Sequence, residues 1–189
     1  MNYAGLGKRG LDFLIIFMAL GLAIPLLLLT SLLIFLDDGG PLLFSQERVG
    51  KDLKLFRIFK FRSMKTGTSI STSATASRDS ITRIGKIIRR TNIDELPQLF
   101  NVLVGDMSIV GPRPALPSQE ILVNARVASG AASLRPGLTG LAQVNAFDGM
   151  SETEKANWDA DYSDNVSLAL DLKIVLRTVA YLFRRQPVY

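Results

Sequence analysis

The chain opens with a long hydrophobic run and continues as shorter alternations of apolar and polar residues. Residues 13–36 form 24 consecutive positions without a charge. A helix of that length, rising ~1.5 Å per residue, reaches across a hydrocarbon core of ~30 Å. The run is also longer than the ~7–15 apolar residues of a signal peptide. The pattern therefore predicts a helix in contact with a lipid bilayer.

The flanks of this helix bear on its topology. Lys8 and Arg9 precede it, and six further cations follow between residues 48 and 62. Because cationic loops tend to stay in the cytoplasm, a straight span does not satisfy both flanks. Pro25 lies near the middle, where it removes a helical hydrogen bond. We interpret residues 1–40 as a re-entrant helical hairpin in the cytoplasmic leaflet, with a kinked single span as the alternative.

The remainder, residues 41–189, reads as a small cytoplasmic domain that is mainly α-helical with few short strands. Residues 53–62 mix cations with phenylalanines, which fits a strand or interfacial segment in the headgroup zone, or else an ordinary amphipathic element. Residues 65–80 are rich in Ser and Thr and predict a loop. Residues 81–90 carry isoleucines at helical spacing and predict an amphipathic helix.

A second amphipathic helix is predicted near the end, over residues 166–185. Its apolar positions recur at helical spacing, with cations in the last turn. Packing into the core is the favoured use of this stripe, and a helix lying on the membrane surface is the alternative. The fold class expected is thus a membrane-embedded hairpin, amphipathic interfacial helices and a small cytoplasmic domain.

Composition restricts the chemistry. The chain has no Cys and no His, which excludes thiolate nucleophiles, His-activated nucleophiles and imidazole or thiolate metal ligands. Carboxylates must then carry any acid, base or nucleophilic role. Lys and Arg total 22 against 17 Asp and Glu, a net charge of +5 that suits an anionic partner.

The adjacent carboxylates Asp94 and Glu95 are the most informative feature. One interpretation is structural, with Asn92 capping a helix and Glu95 closing a capping box. The other is chemical, because fixed cations around a carboxylate suit phosphoryl transfer and a hard cation such as Mg²⁺. One nearby cation, Arg113, lies in the turn 111–114, where two prolines restrict the backbone. Its side chain is therefore presented at low entropic cost. The cations that bracket the pair are Lys60, Arg62, Arg89, Arg90 and Arg113.

A family resemblance extends over most of the chain. The sequence resembles the monotopic bacterial phosphoglycosyl transferases, in the small form that consists of the catalytic domain alone. Ile24 stands where members often carry a serine before the helix-breaking proline. The matching stretches are 8–12, 59–64, 89–91, 94–99, 105–108, 110–114, 135–137, 139–140, 142–145, 161–162 and 170–173.

The resemblance implies a two-step transfer at the cytoplasmic face of the bacterial inner membrane. Asp94 would attack the β-phosphate of a UDP-sugar, expel UMP and pass the phosphosugar to undecaprenyl phosphate. Asp94 would also hold Mg²⁺, and Glu95 would assist. Lys8, Arg9 and Pro25 would define the membrane hairpin. The residues expected to contact phosphate and nucleotide are Lys60, Arg62, Arg89 and Arg113.

Two other functions compete with this hypothesis. A non-catalytic membrane anchor that binds anionic lipid or nucleic acid needs the cations but has no use for Asp94 and Glu95. An enzyme that transfers the bare sugar would release UDP instead of UMP. We expect a UDP-sugar, undecaprenyl phosphate and membrane lipid as partners, and no nucleic acid, while a homo-oligomer is left open.

Overall fold

The computed structural model describes residues 3–67, 80–145 and 150–182. Within these ranges the chain is mainly helical with few short strands, which confirms this part of the predicted fold class. The Ser/Thr-rich loop falls largely outside them. The helices are α1 (Lys8–Asp38), α2 (Arg83–Arg90), α3 (Gln98–Val104), α4 (Glu120–Ala128), α5 (Leu141–Asn145), α6 (Glu152–Asp164) and α7 (Leu168–Leu182); the strands are β1 (Leu43–Val49), β2 (Leu55–Phe61), β3 (Ser108–Val110) and β4 (Gly137–Thr139).

Helix α1 is long and apolar enough to cross a membrane, the one such helix among the described residues. It continues through Pro25, so the predicted break into two helices at that residue is not observed. Pro25 is exposed, while Ala23 is buried on the opposite side. Most of the helix remains uncovered, since only 17 % of its most apolar 18-residue window is buried.

The buried face of α1 is one narrow stripe along its whole length. Its members recur four or seven residues apart, as expected for one side of a helix. Some join the main hydrophobic core with residues of α3, β3 and α7. The stripe consists of Asp12, Ile16, Ala23, Thr30 and Ile34.

The start of α1 is fixed to the domain by ionic hydrogen bonds. Lys8 Nζ donates to Asp171 Oδ2 at 2.5 Å, and Asp171 is fully buried. Arg9 Nη1 donates to the Val102 carbonyl at 2.8 Å. Asp12 Oδ1 accepts a backbone N–H of β3 at 2.8 Å. Lys8 and Arg9, predicted as membrane flanks, therefore also attach α1 to α7 and α3.

The other end of α1 contacts the same domain. Arg62 Nη1 donates to Asp38 Oδ2 at 2.7 Å, and its Nη2 donates to the Gly39 carbonyl at 2.7 Å. Asp37 accepts the backbone N–H of Ile84 at 3.0 Å. These bonds satisfy groups at a helix C-terminus and place a cation where the helix dipole favours one.

A two-stranded antiparallel sheet follows α1. Leu43 pairs with Phe61 at one end and Val49 with Leu55 at the other. Strand β2 confirms the strand predicted within residues 53–62, whereas β1 was not predicted. The buried side chain of Asn101 attaches α3 to the edge of β2 by accepting the Phe59 N–H and donating to the Arg57 carbonyl.

Strands β3 and β4 form a parallel pair that places the Gly111–Pro114 turn. Ser108 pairs with Gly137 and Val110 with Thr139. The Gly111 N–H continues the ladder by donating to the Thr139 carbonyl at 2.8 Å. The turn therefore leaves the core in a defined direction.

Helix α7 confirms the predicted C-terminal helix but corrects its packing. Among residues 168–180 of α7, for which burial is described, only Asp171 and Ile174 are fully buried. Most of the apolar stripe was expected to fill the core but is exposed. It lies on a different side of the helix from Asp171 and Ile174. The exposed members are Leu168, Leu172, Leu176 and Val179.

Candidate active site

Asp94 and Glu95 lie in one turn of 3₁₀-helix, Ile93–Glu95, between α2 and α3. Asn92 precedes it in the left-handed region, with φ of 54°, a conformation that Asn adopts more readily than most residues. Its side chain caps nothing, so the capping-box interpretation is wrong. The tight turn presents both carboxylates outside a regular helix.

The carboxylate of Glu95 is held by two cations. Lys60 Nζ donates to Glu95 Oε1 at 2.7 Å, and Arg113 Nη2 donates to the same oxygen at 2.6 Å. Arg113 Nη1 lies 3.4 Å from Oε2. Burial alone would raise the Glu95 pKa, but Arg113 and Lys60 outweigh it and hold the pKa well below its usual range. Glu95 is therefore a permanent anion that fixes both cations.

Asp94 has a different environment. Burial and the adjacent Glu95 charge raise the pKa of Asp94 to about 6, against the opposing effect of Lys60, Arg89 and Arg113. Within the described ranges no side chain donates a hydrogen bond to this carboxylate. Its oxygens are consequently available to a substrate or a cation.

The structure assembles three of the four predicted phosphate-binding cations near the carboxylates. Lys60 and Arg113 bind Glu95 directly, and Arg89 acts on Asp94 electrostatically. Arg89 is oriented by Nε, which donates to Ser63 Oγ at 2.8 Å. Arg62 differs, because its buried guanidinium is engaged with the end of α1 and is absent from this cluster.

A further cation near the site is Arg48 on β1. In the sequence it is one of the six cations that follow the apolar run, and it was not predicted as a site residue. Its Nη1 donates to the Pro114 carbonyl at 3.2 Å, directly after Arg113. Burial and the charge of Arg113 lower the Arg48 pKa to about 10. Arg48 thereby attaches the β1–β2 sheet to the Arg113 turn. Local sequence patterns do not predict a contact between residues so far apart in the chain.

A cavity of about 810 Å³ opens beside Glu95, while Asp94, the residue before it, is not part of its lining. Its lining includes three charged residues, Glu95, Arg113 and Lys155, together with the apolar surface of α1, including Met18 and Leu22. The cavity thus joins charged side chains at Glu95 to the exposed apolar surface of α1. Further lining comes from Leu138, Thr139 and Gln143 around β4 and α5, and from Val175, Thr178 and Val179 on α7.

The donor set around Asp94 fits Mg²⁺ only together with a substrate. No group of three acidic side chains converges among the described residues. Mg²⁺ commonly binds one or two carboxylates plus substrate phosphates, and the free carboxylate of Asp94 meets that requirement. Glu95 is already occupied by Lys60 and Arg113, which leaves Asp94 as the ligand that the protein would supply.

Comparison with known families identifies the class. The family model described as "Bacterial sugar transferase" matches residues 3–185. The chain belongs to this family and is an enzyme of the sugar-phosphate transferase class.

The first two of the three relatives below have names that state a reaction, and those names agree in the type of transfer and differ in the sugar. A UDP-glucose:undecaprenyl-phosphate glucose-1-phosphate transferase of Caulobacter vibrioides is 45% identical over 97% of this chain and 72% of its own length. A UDP-N-acetylgalactosamine-undecaprenyl-phosphate N-acetylgalactosaminephosphotransferase of Aeromonas hydrophila is 43% identical over 91% of this chain, which spans 42% of that relative. An exopolysaccharide production protein of Rhizobium leguminosarum bv. phaseoli is 40% identical over 91% of this chain and 92% of its own length.

Proposed function

We propose that the enzyme transfers a sugar phosphate from a UDP-sugar to undecaprenyl phosphate and releases UMP, as a membrane step of glycoconjugate or exopolysaccharide assembly. The observation that carries this proposal is the free Asp94 carboxylate beside the cations Lys60 and Arg113 that Glu95 holds. Glu95 and Arg113 in turn line a cavity that also includes apolar residues of α1. The names of the relatives supply both substrates.

The transfer proceeds in two displacements at one phosphorus atom. An Asp94 oxygen attacks the β-phosphorus of the UDP-sugar, and the bond from that phosphorus to the bridging oxygen breaks, so UMP leaves with the electron pair. A phosphate oxygen of undecaprenyl phosphate then attacks the same phosphorus and displaces Asp94. A covalent intermediate of this kind divides one difficult displacement into two easier ones.

Glu95 and its cations prepare the phosphate site. Because Glu95 remains ionised, Lys60 and Arg113 are held in place before substrate arrives, and little reorganisation is needed at the transition state. The Arg113 side chain is half-exposed and can reach incoming phosphate oxygens. Mg²⁺ held by Asp94 and the substrate would neutralise phosphate charge.

We further propose that α1 is re-entrant in the cytoplasmic leaflet of the bacterial inner membrane. A spanning helix needs about 20 residues surrounded by lipid, but the buried stripe of α1 touches the domain from Asp12 to Ile34. Both ends bond to that same domain. The exposed apolar residues of α7 and of α3, such as Phe100 and Leu103, suit the membrane surface.

The test is product analysis with an Asp94→Asn variant. Wild-type protein given a UDP-sugar and undecaprenyl phosphate should release UMP, and protein given donor alone should gain the mass of a phosphosugar on Asp94. Asp94→Asn should lose about a thousandfold or more of the rate. Asp164→Asn, an exposed acid on α6, is the matched control. Release of UDP, or full activity of Asp94→Asn, would exclude the proposed mechanism.

A further inference from the structure

Lys155 on α6 is the third charged residue that lines the cavity among the described residues, together with Glu95 and Arg113. Glu95 and Arg113 bond to each other, and both already have a role at the phosphate site. Lys155 has none, and it comes from a different element of the fold. The charged lining of the cavity therefore contains one cation whose use is unexplained.

Among the residues that the structure describes, no carboxylate is bonded to the Lys155 ammonium group. Its charge acts on Asp159, which lies one turn further along α6. Asp159, however, is already bonded by Arg126, whose Nε and Nη2 donate to Oδ2 at 2.8 and 2.6 Å. Lys155 therefore brings an uncompensated positive charge to the cavity, and a cation that is withdrawn from water is stable mainly with an anionic partner.

Helix α6 presents this cation on a fixed backbone. The helix begins with a reciprocal capping box, in which Ser151 Oγ accepts the Glu154 N–H at 3.2 Å and Glu154 Oε2 accepts the Ser151 N–H at 2.8 Å. Ala156, the residue after Lys155, is buried in a small hydrophobic cluster with Leu122 of α4. Lys155 is itself partly buried. A ligand that binds it therefore orders less of the chain than one that binds a fully exposed lysine.

A positive charge without a bonded partner selects an anionic ligand group. Uridine and an isoprenoid chain are neutral, so the anions that both proposed substrates bring are phosphates. Two phosphates meet in each displacement: the one that is transferred, and either the UMP phosphate that leaves or the acceptor phosphate that attacks. The cations Lys60, Arg89 and Arg113 act on Asp94 and suit the first of these. The second needs a cation of its own.

The order of the two displacements places both second phosphates at one position. Attacking and leaving oxygens lie roughly in line across the phosphorus. UMP therefore leaves on the side opposite Asp94, and undecaprenyl phosphate, which displaces Asp94, enters on the side that UMP has left. Lys155 suits that position, because it lines the cavity while Asp94 does not, and its charge is not among those that affect the Asp94 pKa.

We propose that Lys155 binds the phosphate opposite Asp94, first that of UMP as it leaves and then that of undecaprenyl phosphate as it attacks. The inference rests on the proposed function and deepens it by naming a residue that both displacements share. In the first displacement, the ammonium group offsets the negative charge that UMP gains when the bond to the bridging oxygen breaks. In the second, it holds the acceptor phosphate in line with the phosphorus.

The experiment compares wild-type enzyme with Lys155→Met and Lys155→Arg. The UMP burst from donor alone reports the first displacement, and kcat/KM for undecaprenyl phosphate reports the second. We expect Lys155→Met to slow the burst, to lower this kcat/KM and to raise the inhibition constant of UMP, each by about tenfold or more. Lys155→Arg keeps the charge and should recover most of each loss. Uridine lacks the phosphate, so its inhibition constant should change less than about twofold.

Lys86→Met is the matched control, since Lys86 is an exposed lysine on α2 that does not line the cavity. This variant should leave all these constants unchanged. Because Lys155 has no bonded carboxylate among the described residues, Lys155→Met should leave the melting temperature nearly unchanged. Unchanged constants in Lys155→Met, a loss confined to one displacement, or an equal weakening of uridine and UMP would overturn the inference. Absence of UMP release by wild-type enzyme would instead refute the proposed function.

Discussion

Asp94 and Glu95 carry the same functional group, and the fold gives them different properties. Two cations bond to Glu95, which therefore stays ionised at any pH of interest. Asp94 lacks such bonds and lies beside that permanent anion, so its pKa is raised. One acid thus organises the cations, while its neighbour remains available to react and becomes more nucleophilic as its basicity rises.

The raised Asp94 pKa predicts a pH dependence for the first displacement. Only the ionised carboxylate attacks, so the burst of UMP from enzyme and donor alone should rise through a midpoint near pH 6 and level off above it. Near pH 5 about a tenth of the carboxyls are ionised, and the burst rate should be about a tenth of its plateau. Rapid-quench measurement of UMP against pH provides the test.

Glu95→Gln supplies the control for that profile. The substitution removes the negative charge that raises the Asp94 pKa and frees Lys60 and Arg113 to interact with Asp94. Both effects lower the pKa, so the midpoint should move below pH 6 while the plateau rate also falls. A midpoint that stays near 6 in Glu95→Gln would show that another group titrates.

At the scale of elements, β2 and the residue directly after its end, Arg62, serve two sites. Lys60 reaches Glu95 at the active site, and Arg62 reaches the end of α1. Strand periodicity directs both toward the same face, so the sequence alone suggested one shared role in phosphate binding. The structure separates them, because the chain following α1 returns beside Arg62.

This separation predicts opposite consequences for two matched substitutions. Lys60→Met should lower kcat/KM about tenfold or more and change stability little, since it removes one of two cations from Glu95. Arg62→Met should lower stability by about 2–4 kcal/mol, because Asp38 and the carbonyls at the end of α1 lose their partner. Thermal unfolding in detergent and UMP-release assays distinguish them. If Lys60→Met and Arg62→Met lose activity equally and remain equally stable, Arg62 acts at the phosphate site as well.

Local patterns predicted the helices and the carboxylate pair, and long-range contacts account for what was missed. The spacing of Ile84 and Ile88 is enough to define α2. By contrast, the contact from Arg48 to Pro114 joins residues 66 positions apart. The capping box failed because ion pairs with Lys60 and Arg113 attract the Glu95 side chain more strongly than a backbone N–H of the turn.

At the scale of the whole molecule, the proposed function requires charged chemistry beside lipid. The cavity lining combines the cations Arg113 and Lys155 with apolar residues of α1, so under the proposed function the phosphate would stay at the cations while an isoprenoid chain follows the helix. The buried ionic bonds at both ends of α1 hold this arrangement, since leaving either charge unpaired would be costly. Residues of α1 consequently form part of the cavity in which the proposed transfer takes place.

The re-entrant arrangement predicts where introduced cysteines react, and the chain has no native cysteine to interfere. Gly5→Cys has open space for its side chain, and Ser45→Cys is exposed after α1. Both should react with a membrane-impermeant maleimide in inside-out vesicles and stay unlabelled in intact spheroplasts. Leu28→Cys, on the exposed apolar face, should react in neither because lipid covers it. Labelling of Gly5→Cys from the periplasm would instead establish a spanning helix, with its two ends on opposite sides of the membrane.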